Sequence, residues 1–178
     1  MSRLFADLGD GLELRFLEGS DAEELGALID SNRERLMEWM SWAEGSTVET
    51  TRGFIESGGS GENLDAIAMY LDGAAIGVIG ARPNPMRGDA EIGYWIAEAH
   101  EGRGVVTRAC RAVIEHLFSE VGSHRVTIMA APDNDRSRAI PERLGFTQEG
   151  VMREAGWSSP GYHDLVVYGL IDREWKPT

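Results

Sequence analysis

The sequence predicts one α+β or mixed α/β domain with elements in the order βααβββαβαββ. Three observations carry this. The spacing of apolar residues switches between a period of two and one near 3.6 along the chain. Asp72-Gly73 stands between two strand-like runs, as in a tight hairpin. Gly102-Arg103-Gly104 follows a strand-like run and opens a helical one. The expected product is a mostly antiparallel central sheet of about seven strands flanked by about four helices.

The first strand is read at Leu12, Leu14 and Phe16, alternating with Glu13, Arg15 and Leu17. Ser20 followed by Glu23 matches a capping box, so a helix should start there with Leu25, Leu28 and Ile29 on one face. Thr47 can cap a second helix through about Ser57. Asp65–Leu71 and Ala74–Ala81 form the hairpin, and Ala90–Ile96 is a third strand after the Pro83–Gly88 loop. Val105, Ala109, Ala112, Val113, His116 and Leu117 recur at helical spacing up to about Val121-Gly122. Arg125–Ala130 is a strand. Asn134–Leu144 is a short helix, broken or kinked at Pro141, which has no N–H to give the carbonyl of residue 137. Two strands close the chain, about Phe146–Glu154 and Tyr162–Leu170.

The 178 residues, 42% of them apolar, suffice for one core. The loop-like points at Gly58–Gly61, Pro83–Gly88 and after Trp175 are too short for a domain linker, so residues 1–178 are read as a single domain. A net charge of −13 disfavours nucleic acid and anionic membrane as partners. It suits a cationic partner, or is simply a solvated acidic surface. The single cysteine, Cys110, excludes an internal disulfide and a cysteine metal cluster. MSRLFADLGDG holds no signal-like apolar run, and no window approaches the ~18 apolar residues of a membrane span, so a cytoplasmic protein is expected.

A glycine-rich turn at a helix N-terminus suits phosphate. The first-turn N–H groups are free, the helix dipole favours an anion, and glycine lets the backbone approach closely. Arg103 adds a cation. The turn lacks the lysine of a nucleotide P-loop, and Thr107 stands where a dinucleotide fingerprint needs its third glycine.

Four segments in order carry a resemblance: EIGYWI (Glu91–Ile96), EGRGVVTRA (Glu101–Ala109), NDRSRAIPERLGF (Asn134–Phe146) and YHDLVVYGL (Tyr162–Leu170). Together they resemble the GCN5-related N-acetyltransferase (GNAT) superfamily, and within it the RimJ/RimL-like branch that acetylates protein N-termini. The resemblance spans essentially the whole chain and implies the GNAT fold, with acetyl-CoA as donor and no metal. Two positions depart from the superfamily pattern: Glu101 replaces Gln or Arg, and Val106 replaces a small residue. Pro141 stands where many members carry an acid tyrosine.

Acyl transfer from a thioester to an amine needs a neutral amine, a stabilised carbonyl oxygen and a proton or hydrogen bond for the leaving thiolate. The resemblance places the cofactor against Trp95, Ile96 and Ala97, against the turn Arg103, Gly104, Val105, Val106 and Thr107, and against Asn134 and Ser137. The amide near Ile96 would hold the acetyl carbonyl. It points to Glu91 as base, or a solvated or ion-paired strand carboxylate, and to Glu154 as a second candidate, or plain surface charge. The family's acid can lie near that segment, where this chain has Gly156. Ser137 would serve the leaving thiolate, or bond to backbone. Trp39 and Trp42 could roof the acceptor groove, or belong to the core or a dimer contact. His163, with Asp164, could line the amine pocket, or belong to a strand pair. His116 reads as a core or boundary residue, His100 and His124 as surface loop residues, and the four scattered histidines form no metal site.

The leading expectation is an N-acetyltransferase acting on a protein α-amino group by direct transfer in a ternary complex. The alternatives are a small amine acceptor (polyamine, amino sugar or antibiotic) and a degenerate acetyl-CoA-binding module. A homodimer fits the resemblance and the tryptophans.

Overall fold

The structure, a computed structural model, describes residues 3–57, 64–159 and 161–177; the expected turn at Gly58–Gly61 lies outside them. Alternation builds the sheet. In β2 (Leu12–Phe16) the three apolar residues are buried while Glu13 and Arg15 are half-buried. β3 (Ile67–Leu71) and β4 (Ala74–Asn84) pair around Asp72-Gly73, where both residues take positive φ (51° and 84°), as the hairpin dipeptide predicts. β5 (Asp89–Ile96) pairs along β4 from Asn84↔Asp89 to Gly77↔Ile96.

An additional strand, β1 (Leu4–Asp7), pairs with β2 through the Gly9-Asp10-Gly11 turn, all three residues at positive φ. With β6 (Arg125–Ala130), β7 (Thr147–Ser158) and β8 (Gly161–Ile171) this gives one eight-stranded sheet, in order β1-β2-β3-β4-β5-β6-β8-β7. One strand more than expected is a minor correction to the mostly antiparallel α/β fold class. β4 also outlasts its expected end at Ala81, and β7 outlasts Glu154, because each has a neighbour to pair with.

Helices cover both faces. On one, α4 (Val105–Ser119) buries Val106, Cys110, Val113, Ile114 and Leu117 against Ile67, Ile79, Ile92 and Ile128. Each such side chain contributes roughly 1.5–3 kcal/mol. α5 (Asp135–Arg143) packs beside it and runs through Pro141, so of the expected break or kink the break does not occur. On the other face, α1 (Ala22–Ser31), α2 (Arg33–Met37) and α3 (Val48–Ser57) pack on Ala66, Ala68, Tyr70 and Val78. Thr47 caps α3 as expected, accepting from the Thr50 N–H at 3.2 Å. Ser20 does not cap α1. It lies in a 3-10 turn, Gly19–Asp21, and Asp21 instead accepts from the Glu18 N–H at 2.8 Å. No helix among the described residues is long and apolar enough to cross a membrane.

One topological feature makes room for a site. β5 and β6 are the parallel pair, joined by α4, and their ladder stops at Ile92↔Ile128. β5 continues to Ile96 and β6 to Ala130 without pairing to each other, so the sheet opens between their C-terminal ends. In open α/β sheets, ligands bind at the carboxyl ends of such diverging strands.

Candidate active site

α4 begins at this opening. Gly102 and Gly104 both take positive φ (71° and 73°), and a Cβ on either would meet nothing within 4 Å. Glycine is required there by backbone conformation rather than by space. Gly104 is the N-cap and offers no side chain, so no cap bond consumes the N–H groups of the first turn. These groups face a cavity of about 920 Å³ lined by Gly102, Gly104, Val105, Val106 and Thr107 on one side and by Trp95, Ile96, Trp39 and the start of α5 on the others.

The end of β5 presents a free edge to this cavity. The Ala97 N–H donates back to Ile76 at 2.8 Å. Successive strand residues point opposite ways, so the N–H and carbonyl of Ile96 face the open side. That carbonyl accepts from Arg35 on α2. Ala97 itself does not line the cavity.

The cations of the cavity are not those the turn suggests. Arg103 is exposed and outside the lining, whereas Arg35, Arg108, Arg136 and Arg143 border it. Arg35 and Arg136 both reach the Glu101 carboxylate, which is 14% exposed. Glu101 thus ties α2 to the first turn of α5 across the mouth of the cavity. His100, expected as a surface residue, is half-buried and lines the cavity, with its buried Nδ1 unpartnered among the described residues. This set spans residues 35 to 143, and the sequence held no spacing signal for it.

A smaller cavity, about 150 Å³, lies in the gap between β5 and β6. Trp39, Met40, Tyr94, Asn134 and Ser137 line both cavities. Asn134 caps α5 by accepting the Ser137 N–H at 3.0 Å. The Tyr94 hydroxyl donates to the Ser137 carbonyl at 3.0 Å and stands 3.4 Å from the Ser137 hydroxyl. Burial holds the Tyr94 phenol well above its ordinary pKa, so it stays protonated.

The remaining expected residues separate. His163 lines the smaller cavity. Trp42 lines neither; it is 45% exposed and leans on Trp95 with ring centroids 6.1 Å apart. Glu91 lies outside both linings, 3.8 Å from Arg82 on the neighbouring strand. Glu154 is exposed at φ 50°, its N–H held by the Asp164 carboxylate at 2.8 Å. Cys110 is fully buried and desolvation pushes its thiol pKa up, which disfavours a thiolate.

The acetyltransferase (GNAT) domain family matches residues 11–147. The chain belongs to this family. The enzyme is 39% identical over 175 residues to a putative ribosomal N-acetyltransferase, YdaF, of Bacillus subtilis (strain 168), covering 95% of this chain and 96% of that one. Among solved structures it is similar to RimL, the ribosomal L7/L12 α-N-protein acetyltransferase, in complex with coenzyme A (TM-score 0.85, 26% identity, 95% and 98% of the two chains). It is also similar to the microcin C7 self-immunity acetyltransferase MccE, in complex with acetyl-CoA and AMP (TM-score 0.84, 26% identity, 92% and 94%).

The acetyltransferase takes acetyl-CoA as its donor, and the larger cavity fits it. A free helix N-terminus suits the pyrophosphate, the open edge of β5 suits an extended amide-bearing arm, and four arginines border an otherwise acidic chain.

Proposed function

We propose that this acetyltransferase acetylates protein N-terminal α-amino groups. The observation that carries the reading is the pair of cavities meeting at Tyr94 and Ser137: a large one fitted to the donor and a small one in the gap between β5 and β6. A terminal amine can occupy the small cavity while the rest of its chain stays outside. The similarity to YdaF and RimL, both named for ribosomal substrates, supports a protein acceptor and a cytoplasmic setting.

In this reading Trp39 separates donor and acceptor, the Ile96 N–H holds the acetyl carbonyl, and Val105, Val106 and Thr107 bind pyrophosphate through their backbone. Ser137 offers its hydroxyl to the leaving sulfur. Glu91 and Glu154 reach the amine only through a chain of waters, since neither borders a cavity. A small amine is the second reading, favoured by the modest size of the inner cavity, about 150 Å³.

The test is thiol release from acetyl-CoA with short free-amine peptides, polyamines and aminoglycosides. Turnover on peptides, abolished by N-terminal blocking, supports the proposal. Turnover on small amines alone moves the function to them. Acetyl-CoA binding without turnover on any acceptor makes the chain a binding module.

A further inference from the structure

We propose that His163 is the proton acceptor for the incoming amine, in a site that Gly156 makes possible. This rests on the acetyl-transfer reading above and names the group that reading leaves open. Gly156 and His163 are directly opposed across β7 and β8. A Cβ at residue 156 would strike the His163 ring at Nε2, with Cδ2 only 2.6 Å away. The imidazole therefore sits against the glycine, in space that any side chain at 156 would occupy. From there it borders the small cavity that Tyr94 and Ser137 also line.

The ring is oriented from behind. The hydroxyl of Ser158, which is 1% exposed, lies 3.5 Å from Nδ1. With Nδ1–H facing Ser158, Nε2, which has no hydrogen-bond partner among the described residues, is the nitrogen left to take a proton. Among the described residues no competitor lines the small cavity. β5 contributes Ile92, Gly93 and Tyr94, β6 and its following residue Met129–Ala131, α5 and its cap Ser137 and Asn134, and the segment after α2 Trp39 and Met40. None is a carboxylate or a cation, and the Tyr94 phenol is held protonated. On β7, Glu154 and Arg153 stand at the bulge, exposed; on β8, the Asp164 carboxylate is engaged by the Glu154 N–H.

An ammonium N–H gives its proton to Nε2, and the neutral amine attacks the thioester carbonyl carbon. The C–N bond forms, the C–S bond breaks with its electron pair on sulfur, and the thiolate takes the second amine proton through the Ser137 hydroxyl. The imidazolium returns its proton to water, so each turnover yields amide, thiol and one released proton.

The experiment compares wild type, H163Q, H163A, G156A and E91Q on a serine-initiated peptide, reading thiol release against pH and acetyl-CoA binding separately. In H163Q we expect kcat to fall about 100-fold, the yield of a positioned base, with the acetyl-CoA Kd unchanged. The rise of kcat/KM with pH should move up to the range of the free α-amine, about 8. G156A should lower kcat by displacing the ring, and H163A should recover rate with added imidazole. A wild-type rate and pH profile in H163Q, or loss in E91Q alone, overturns the proposal while acetyl transfer stands. If wild type turns over only small amines, the protein-acceptor reading falls and the same comparison on that amine decides the role of His163.

Discussion

The Tyr94 hydroxyl donates to the Ser137 carbonyl at 3.0 Å, the acceptor that Pro141 leaves without a helical partner. The proline lets α5 form but frees one carbonyl, and the free carbonyl fixes a phenol at the junction of the two cavities. Tyr94→Phe should therefore cost about 1–3 kcal/mol, the penalty of a half-buried carbonyl left unmade. In the Pro141→Ala background the restored N–H at residue 141 satisfies that carbonyl, and the same Tyr94→Phe change should cost clearly less. A double-mutant cycle by urea unfolding reads the coupling directly.

Gly77 faces Ile96 at the end of β5. A Cβ there would strike the Trp95 carbonyl and lie 2.8 Å from Ile96 Cα, both backbone and unable to swing away. Gly77→Ala should push apart β4 and β5 where the donor's acetyl end is expected. The acetyl-CoA Kd should rise at least tenfold in calorimetry, with a lowered Tm.

Glu101 places a carboxylate beside the turn proposed to bind pyrophosphate while holding Arg35 and Arg136. Glu101→Gln removes a negative charge from the path of a polyanion and frees two cations. Acetyl-CoA should bind about fivefold tighter, equivalent to about 1 kcal/mol. Stability should fall, because half-buried Arg35 loses its charge partner. Titration calorimetry and thermal unfolding of one variant check both signs.

Arg125 grips Glu149 through both terminal guanidinium nitrogens, and this hydrogen bonding holds the Glu149 carboxyl below the usual carboxylate range. A lowered folded-state pKa gives stability that is complete above the unfolded value, about 4.3, and lost as pH falls through the folded one. The pair is partly exposed, so about 0.5–1 kcal/mol is expected. Glu149→Gln should lose this at pH 7 and match wild type more closely near pH 3, by urea unfolding at both.

The elements with a local code were legible in the sequence. The Asp72-Gly73 hairpin, the Thr47 cap and the apolar stripe of α4 each lie within one short window and formed as expected. β1 has four residues and α2 five, too few for a period to declare itself, and each exists because a neighbour pairs or packs with it. The Gly102–Gly104 turn was legible because glycine at positive φ is a local demand. The arginines around it were not. Arg35 meets Glu101 across 66 positions of sequence, and Arg103, the cation the turn displays, points elsewhere. His163 and Gly156 carried no joint signal, because a bulge sets their register in β7 and β8.

The most direct test of the central claim is mass spectrometry of a peptide with a free N-terminal serine and one internal lysine, after incubation with the enzyme and acetyl-CoA. A single acetyl group on the α-amine is expected, formed with a kcat/KM at least tenfold above that for spermidine. Acetylation of the lysine, or of spermidine alone, would contradict it.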